Sequence, residues 1–113
     1  MPFDYHVISI DRVVDGDTVD LTLDLGFSIS MRQRVRLLGV NTPEIASKDA
    51  SEKMRAKAAK DFTGAWLGRQ TRLIAHTTKD DKYGRILARI VGDDGSTVND
   101  ALLEAKLAVP YIV

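Results

Sequence analysis

The sequence predicts a mainly β fold with helices (α+β): a five-stranded Greek-key barrel, with a helix after the third strand and a short helix near the C-terminus. Three observations predict it. Short segments alternate apolar and polar residues with period two, Gly and Asp-Gly breaks punctuate them, and the order runs three strands, a helix, two strands, a helix. Short alternating strands of this kind close into a small antiparallel barrel with helices packed on it. The length of 113 residues points to one domain over residues 1–113.

Residues 6–14, HVISIDRVV, read as the first strand, followed by the turn Asp15-Gly16-Asp17-Thr18. In the second strand Val19, Leu21, Leu23 and Leu25 share one face, and Asp20, Thr22 and Asp24 the other, until Gly26 breaks the pattern. The third strand spans about residues 27–40, with Ile29, Met31, Val35 and Leu37 on one face and Arg32, Arg34 and Arg36 opposite. A helix follows over residues 51–68, with an expected apolar stripe of Met54, Ala58, Phe62, Ala65 and Trp66. Asp49 or Ser51 suits its cap and Gly68 its stop. Residues 71–76 and 84–91 read as two more strands around the loop KDDKY. Asp94-Gly95 marks a turn, and Asn99 is the expected cap of a helix over residues 100–108.

Composition narrows the chemistry. Sixteen basic and sixteen acidic residues cancel, so any phosphate recognition must come from local charge placement rather than bulk attraction. The absence of cysteine excludes disulfides, zinc-thiolate centres and thiol catalysis, and two distant histidines, His6 and His76, make a His-centred triad or zinc site improbable. The chain shows neither a signal-peptide pattern nor an apolar run long enough for a transmembrane helix, so a secreted mature form and a cytoplasmic protein are both open. LAVPYIV is an apolar terminus: it either packs on the barrel, meets another subunit or marks a truncated form.

Four short features carry the candidate chemistry. Asp15-Gly16-Asp17-Thr18 is a turn that also offers the carboxylates a hard cation takes. Asn41-Thr42-Pro43-Glu44 is a turn with two neutral oxygens and a carboxylate, its Thr42 held extended by Pro43. In Asp81-Lys82-Tyr83-Gly84-Arg85, an arginine beside a glycine can bring a planar guanidinium to a phosphate. Arg36 sits at the end of an arginine-bearing strand face, where solvation alone would accept Lys, Thr or Glu equally well.

Taken in order, DGDTV, RLLGVNTPE, DKYGR and VNDALLEAKLA resemble the staphylococcal nuclease (thermonuclease) family over nearly the whole chain. The resemblance implies an oligonucleotide/oligosaccharide-binding (OB) barrel that cleaves DNA and RNA with calcium, Ca2+, and leaves 3′-phosphates. It places Asp17, Asn41 and the Thr42 carbonyl at the metal, and Glu44 as the carboxylate that activates or orients water. Arg36 and Arg85 fall on the scissile phosphate, Lys82 and Tyr83 on a terminal phosphate, and Tyr111 against the base. Asn41 departs from the Asp found in many members, which implies weaker calcium binding. Arginines and a metal read phosphate rather than base edges, so low sequence specificity is expected, with single-stranded or frayed substrate favoured by the stacking tyrosine. No membrane partner is expected, and a monomer is, with the apolar C-terminus as the surface for any self-association. The alternative is a catalytically weak or inactive single-stranded nucleic-acid-binding barrel; a scaffold module on the same fold is a third reading.

Overall fold

In a computed structural model, which describes residues 3–80 and 83–111, the elements run β1 Phe3–Asp15, β2 Thr18–Asp24, β3 Ser30–Leu37, β4 Val40–Asn41, α1 Ala50–Gly68, β5 Ile74–Asp80, β6 Ile86–Val91, α2 Val98–Glu104 and β7 Val109–Pro110. Five strands close a barrel in the order β1-β2-β3-β6-β5, and β4 and β7 form a separate two-stranded ribbon. The barrel is mixed rather than antiparallel. β3 and β6 pair in parallel, Val35 beside Ile86 and Leu37 beside Ala88, because α1 and β5 intervene and bring β6 back alongside β3. β1 is long enough to serve two neighbours: residues 3–6 pair with β5 and residues 7–15 with β2. Three register irregularities in its pairing with β2 bend it around the barrel.

The alternating pattern of β2 is realised on the core side, where Val19, Leu21 and Leu23 are buried with Val35, Leu37, Ala88 and Ile90. Each larger aliphatic side chain among them contributes about 1.5–3 kcal/mol by leaving water. β3 is shorter than its sequence pattern. Gly26, Phe27 and Ser28 all take positive φ in a tight turn, so Phe27 is 98% exposed at the tip and Ile29 and Met31 lie outside the core.

α1 starts where expected, with the Asp49 carboxylate accepting from the Ser51 N–H at 3.0 Å. The expected stripe holds at Trp66, which is buried, and at Phe62, which packs against the core, but fails at Met54, Ala58 and Ala65, which are exposed. The helix buries Ala56, Ala59, Thr63, Trp66 and Leu67, whereas Met54 is 75% exposed. The cause is close approach. A Cβ at Gly16 would lie 2.7 Å from the Ala59 Cβ, and the Thr63 hydroxyl donates to the Gly16 carbonyl at 2.7 Å, so this face needs small residues rather than the most apolar ones.

β5 is shifted towards its C-terminal end. The N–H groups of Thr71 and Arg72, expected in a strand, instead donate to the Asp93 carboxylate at 2.8 and 2.9 Å. α2 is capped by Thr97, whose hydroxyl accepts from the Asp100 N–H at 3.1 Å. Asn99, the expected cap, lies inside the helix and is fully buried. Its side chain accepts from the Ile90 N–H and donates to the carbonyls of Leu38 and Ala88, so tertiary bonding overrides its capping preference. The C-terminal stretch packs on this chain as far as described: Val109 pairs with Asn41, and the Tyr111 N–H donates to the Gly39 carbonyl at 2.9 Å. Among the described residues no helix is long and apolar enough to cross a membrane.

Candidate functional site

The arginine-bearing face of β3 divides into two parts. Its partners on β2 are Thr22 opposite Arg32, Asp20 opposite Arg34 and Thr18 opposite Arg36. Arg34 clamps Asp20 through two bonds, Nε to Oδ1 at 2.8 Å and Nη2 to Oδ2 at 3.1 Å. That clamp lowers the Asp20 carboxyl below the ordinary carboxylate range and raises Arg34. Arg32 lies 3.8 Å from both Asp11 and Asp20. These two arginines belong to a cross-strand charge ladder.

Arg36 does something different. It is 9% exposed, and its guanidinium is fixed by the chain's own oxygens. Nη1 donates to the carbonyls of Leu37 at 3.0 Å and Val40 at 2.7 Å, and Nη2 donates to Asn41 Oδ1 at 3.1 Å while lying 3.4 Å from Asp17 Oδ2. Tyr111 places its ring 5.6 Å from the same guanidinium carbon, a cation–π distance. Gly39, at φ 81°, makes the turn that brings these carbonyls back under the arginine.

Asp17 stitches two turns together. Its Oδ1 accepts from the Thr18 hydroxyl at 3.0 Å and its Oδ2 from the Thr42 N–H at 3.0 Å. Asp15 accepts from the Ile45 N–H at 3.4 Å, so both aspartates of the first turn face the segment 42–45. The Thr42 hydroxyl is buried with no hydrogen-bond partner among the described residues. The Asp17 carboxylate, Asn41 amide oxygen, Thr42 carbonyl and this orphaned hydroxyl are all hard oxygens, which fits calcium rather than a soft metal. Among the described residues, no three His, Cys, Asp or Glu side chains come together in a group that could hold a metal ion.

Glu44 is exposed and borders two clefts. The first is shared with Gln33, Arg34, Tyr83, Gly84 and Arg85. There Arg85 lies over the Tyr83 ring at 5.3 Å. The second continues past Asn41, Thr42 and Pro43 to Arg55 on α1 and Lys106 after α2. Asp17, Arg36, Asn41, Thr42 and Tyr111 therefore meet in one place, with Glu44, Tyr83 and Arg85 around the adjoining cleft. Lys82 lies outside the described residues. Sequence reasoning missed the Arg34–Asp20 clamp, although their cross-strand placement signals it. It also missed the second cleft, because residues 52–55 and 106–109 are joined only by folding.

A closed five-stranded mixed barrel whose β3 terminus presents a buried arginine fork beside a carboxylate defines an OB-like class of protein. The family described as "Staphylococcal nuclease homologue" matches residues 34–113. The chain belongs to that family. It is 37% identical over 106 residues to a thermonuclease of Staphylococcus intermedius, covering 89% of this chain and 60% of that protein. It is likewise 37% identical over 87 residues to a thermonuclease of Staphylococcus hyicus, covering 76% of this chain and 47% of that protein. Endonuclease YhcR of Bacillus subtilis (strain 168) is 30% identical over 112 residues, 92% of this chain but 9% of its own length. The chain thus spans about half the length of the two thermonucleases it matches.

Proposed function

We propose that this chain is one thermonuclease-like domain, a calcium-dependent endonuclease that hydrolyses DNA and RNA with low sequence specificity and leaves 3′-phosphates. The observation that carries this reading is Arg36, a buried guanidinium locked 3.4 Å from Asp17 and 3.1 Å from Asn41 by carbonyls of its own turn. A guanidinium charge is thereby fixed beside oxygen ligands, with Nη1 held by the turn's carbonyls and Nη2 turned to Asn41 and Asp17, at a place where a phosphate oxygen would meet the cation and the ligands together.

In this reading Arg36 and Arg85 hold the phosphoryl oxygens and stabilise the charge that grows on them. Glu44 accepts a hydrogen bond from the attacking water and takes its proton as a bond forms between that oxygen and phosphorus. The bond from phosphorus to the 5′ oxygen breaks, the departing alkoxide takes a proton from solvent water, and the Glu44 proton returns to solvent. Asp17, Asn41 and the Thr42 carbonyl would hold calcium, which when bound neutralises a phosphoryl oxygen. Lys82 and Tyr83 contact a neighbouring phosphate, and Tyr111 packs against a base. The chain acts as a monomer on single-stranded or frayed nucleic acid. Incubating the protein with denatured DNA in calcium or in EDTA tests this: acid-soluble fragments bearing 3′-phosphates should form only with calcium.

One observation favours a second reading, a nucleic-acid-binding barrel with weak or no catalysis. Asn41 gives the Arg36 fork a neutral oxygen where a carboxylate would strengthen a cation site. Oligonucleotide binding without fragments at any calcium concentration would favour it.

A further inference from the structure

A phosphodiester seated at Glu44 carries a nucleoside on each side, and Glu44 borders two clefts. One holds Tyr83 and Arg85. The other, of about 480 Å³, shares Glu44 with it and runs along Asn41, Thr42 and Pro43 to Arg55 on α1 and to residues 106–109 after α2. Its lining includes the apolar residues Pro43, Leu107, Ala108 and Val109 together with the cations Arg55 and Lys106 and the carboxylate of Glu52.

Lys106 is held there at some backbone cost. α2 ends in a complete Schellman motif: the Lys106 N–H donates to the Leu103 carbonyl and the Leu107 N–H to the Leu102 carbonyl, each at 3.0 Å. The motif puts Lys106 at φ 60°, a left-handed position that normally takes glycine. Helix closure needs no lysine there, and the side chain it carries borders the cleft. Arg55 is exposed one turn into α1, and its guanidinium donates to the Ser51 hydroxyl at 2.9 Å.

Building on the nucleic-acid reading above, we infer that this second cleft is a nucleotide subsite on the far side of the scissile phosphate from Tyr83. The apolar lining takes the sugar and base, Arg55 and Lys106 take the next phosphate of the strand, and Glu52 accepts from base or ribose donors. Occupancy of both clefts at Glu44 is what cutting inside a chain requires, as distinct from trimming its end.

Binding of a labelled single-stranded oligonucleotide of about ten nucleotides tests it, a length within the span such a barrel covers. Affinity is measured in EDTA, so that cleavage is irrelevant, at several salt concentrations. Arg55→Ala/Lys106→Gly removes both side chains while leaving a good helix residue and a glycine suited to φ 60°. The expected result is about a tenfold weaker Kd and a log Kd against log salt slope shallower by about 0.7 for each phosphate that is no longer neutralised. Lys53→Ala/Lys60→Ala removes equal charge from the neighbouring groove on α1 and should leave the slope unchanged. An unchanged Kd and slope in the first variant, or equal losses in both, overturns the subsite. If wild type cuts DNA while the first variant binds normally, the subsite alone falls. If wild type never cuts yet that variant loses affinity and slope, the subsite stands and the catalytic reading falls.

Discussion

The Arg36 Nη2 atom stands 3.4 Å from the Asp17 carboxylate and donates to the Asn41 amide oxygen at 3.1 Å. The arginine and Asn41 are held by one piece of backbone, because two of the arginine's acceptors are the carbonyls of Leu37 and Val40 in the turn that carries Asn41, and Asp17 is tied to that turn through the Thr42 N–H. A lysine offers one point charge where this site uses a planar fork. Arg36→Lys should therefore lower kcat on denatured DNA by about 10²-fold, about 2.7 kcal/mol of barrier. Steady-state kinetics check this, and a loss smaller than about tenfold counts against a phosphate-binding role.

Asn41 supplies a neutral oxygen where a carboxylate would add charge. Asn41→Asp should tighten calcium by about tenfold or more. A calcium titration of activity or of intrinsic fluorescence reads the midpoint, and an unmoved midpoint would remove Asn41 from the ligand set.

Asn99 is fully buried and bonds three backbone groups, on Leu38, Ala88 and Ile90. It thereby ties α2 to β6 and to the start of the turn that leads to Asn41. Asn99→Ala leaves those groups without partners in the core and should cost about 2–4 kcal/mol in urea unfolding. A cost below about 0.5 kcal/mol would mean that water replaces the side chain.

Gly16 sits under α1, where an added Cβ would fall 2.7 Å from Ala59 Cβ and 3.0 Å from Thr42 Cγ2. Gly16→Ala should destabilise by about 1–3 kcal/mol through overpacking. It should also lower activity in the folded protein, since the Thr42 side chain is among the groups displaced. Thermal melts and kcat measured below the melting range separate the two effects.

The Asp20 carboxyl is held low first by its hydrogen bonds from Arg34, and then by the charges of Arg34 and Arg32. A depressed carboxylate stabilises the fold above its unfolded value, about 3.9, and that contribution fades as pH falls through the folded value. Asp20→Asn should thus be less stable at pH 7, with the gap to wild type closing in acid. Urea midpoints between neutral and acid pH check this; parallel curves would show that the clamp contributes nothing.

Local pattern makes the architecture legible. The alternation in residues 19–23, the glycine at position 26 and the capping Asp49 describe short-range physics, and the structure follows them. Where the structure departs from the pattern, long-range packing sets the outcome. Hydrophobicity alone places Met54 on the inward stripe of α1, yet the helix turns Ala56, Ala59 and Thr63 inward because the Gly16 turn approaches too closely for a larger side chain. Capping preference alone places Asn99 at the start of α2, yet three buried backbone groups claim it. The parallel β3–β6 pair has no local signature for the same reason. At the candidate site, Asp17, Arg36, Asn41, Thr42 and Glu44 stand out as candidates in the sequence because they lie in two short motifs. Their joining through the Thr42 N–H on Asp17 spans residues far apart in the chain, and no local pattern encodes it.

The central claim is that Glu44 acts on water at a phosphate held by Arg36 and Arg85. Glu44→Gln keeps the shape of that exposed side chain and removes the base. At saturating calcium, release of acid-soluble fragments from denatured DNA should fall by about 10²–10⁴-fold in the variant, with oligonucleotide Kd unchanged. Equal rates of fragment release by wild type and Glu44→Gln would contradict the account.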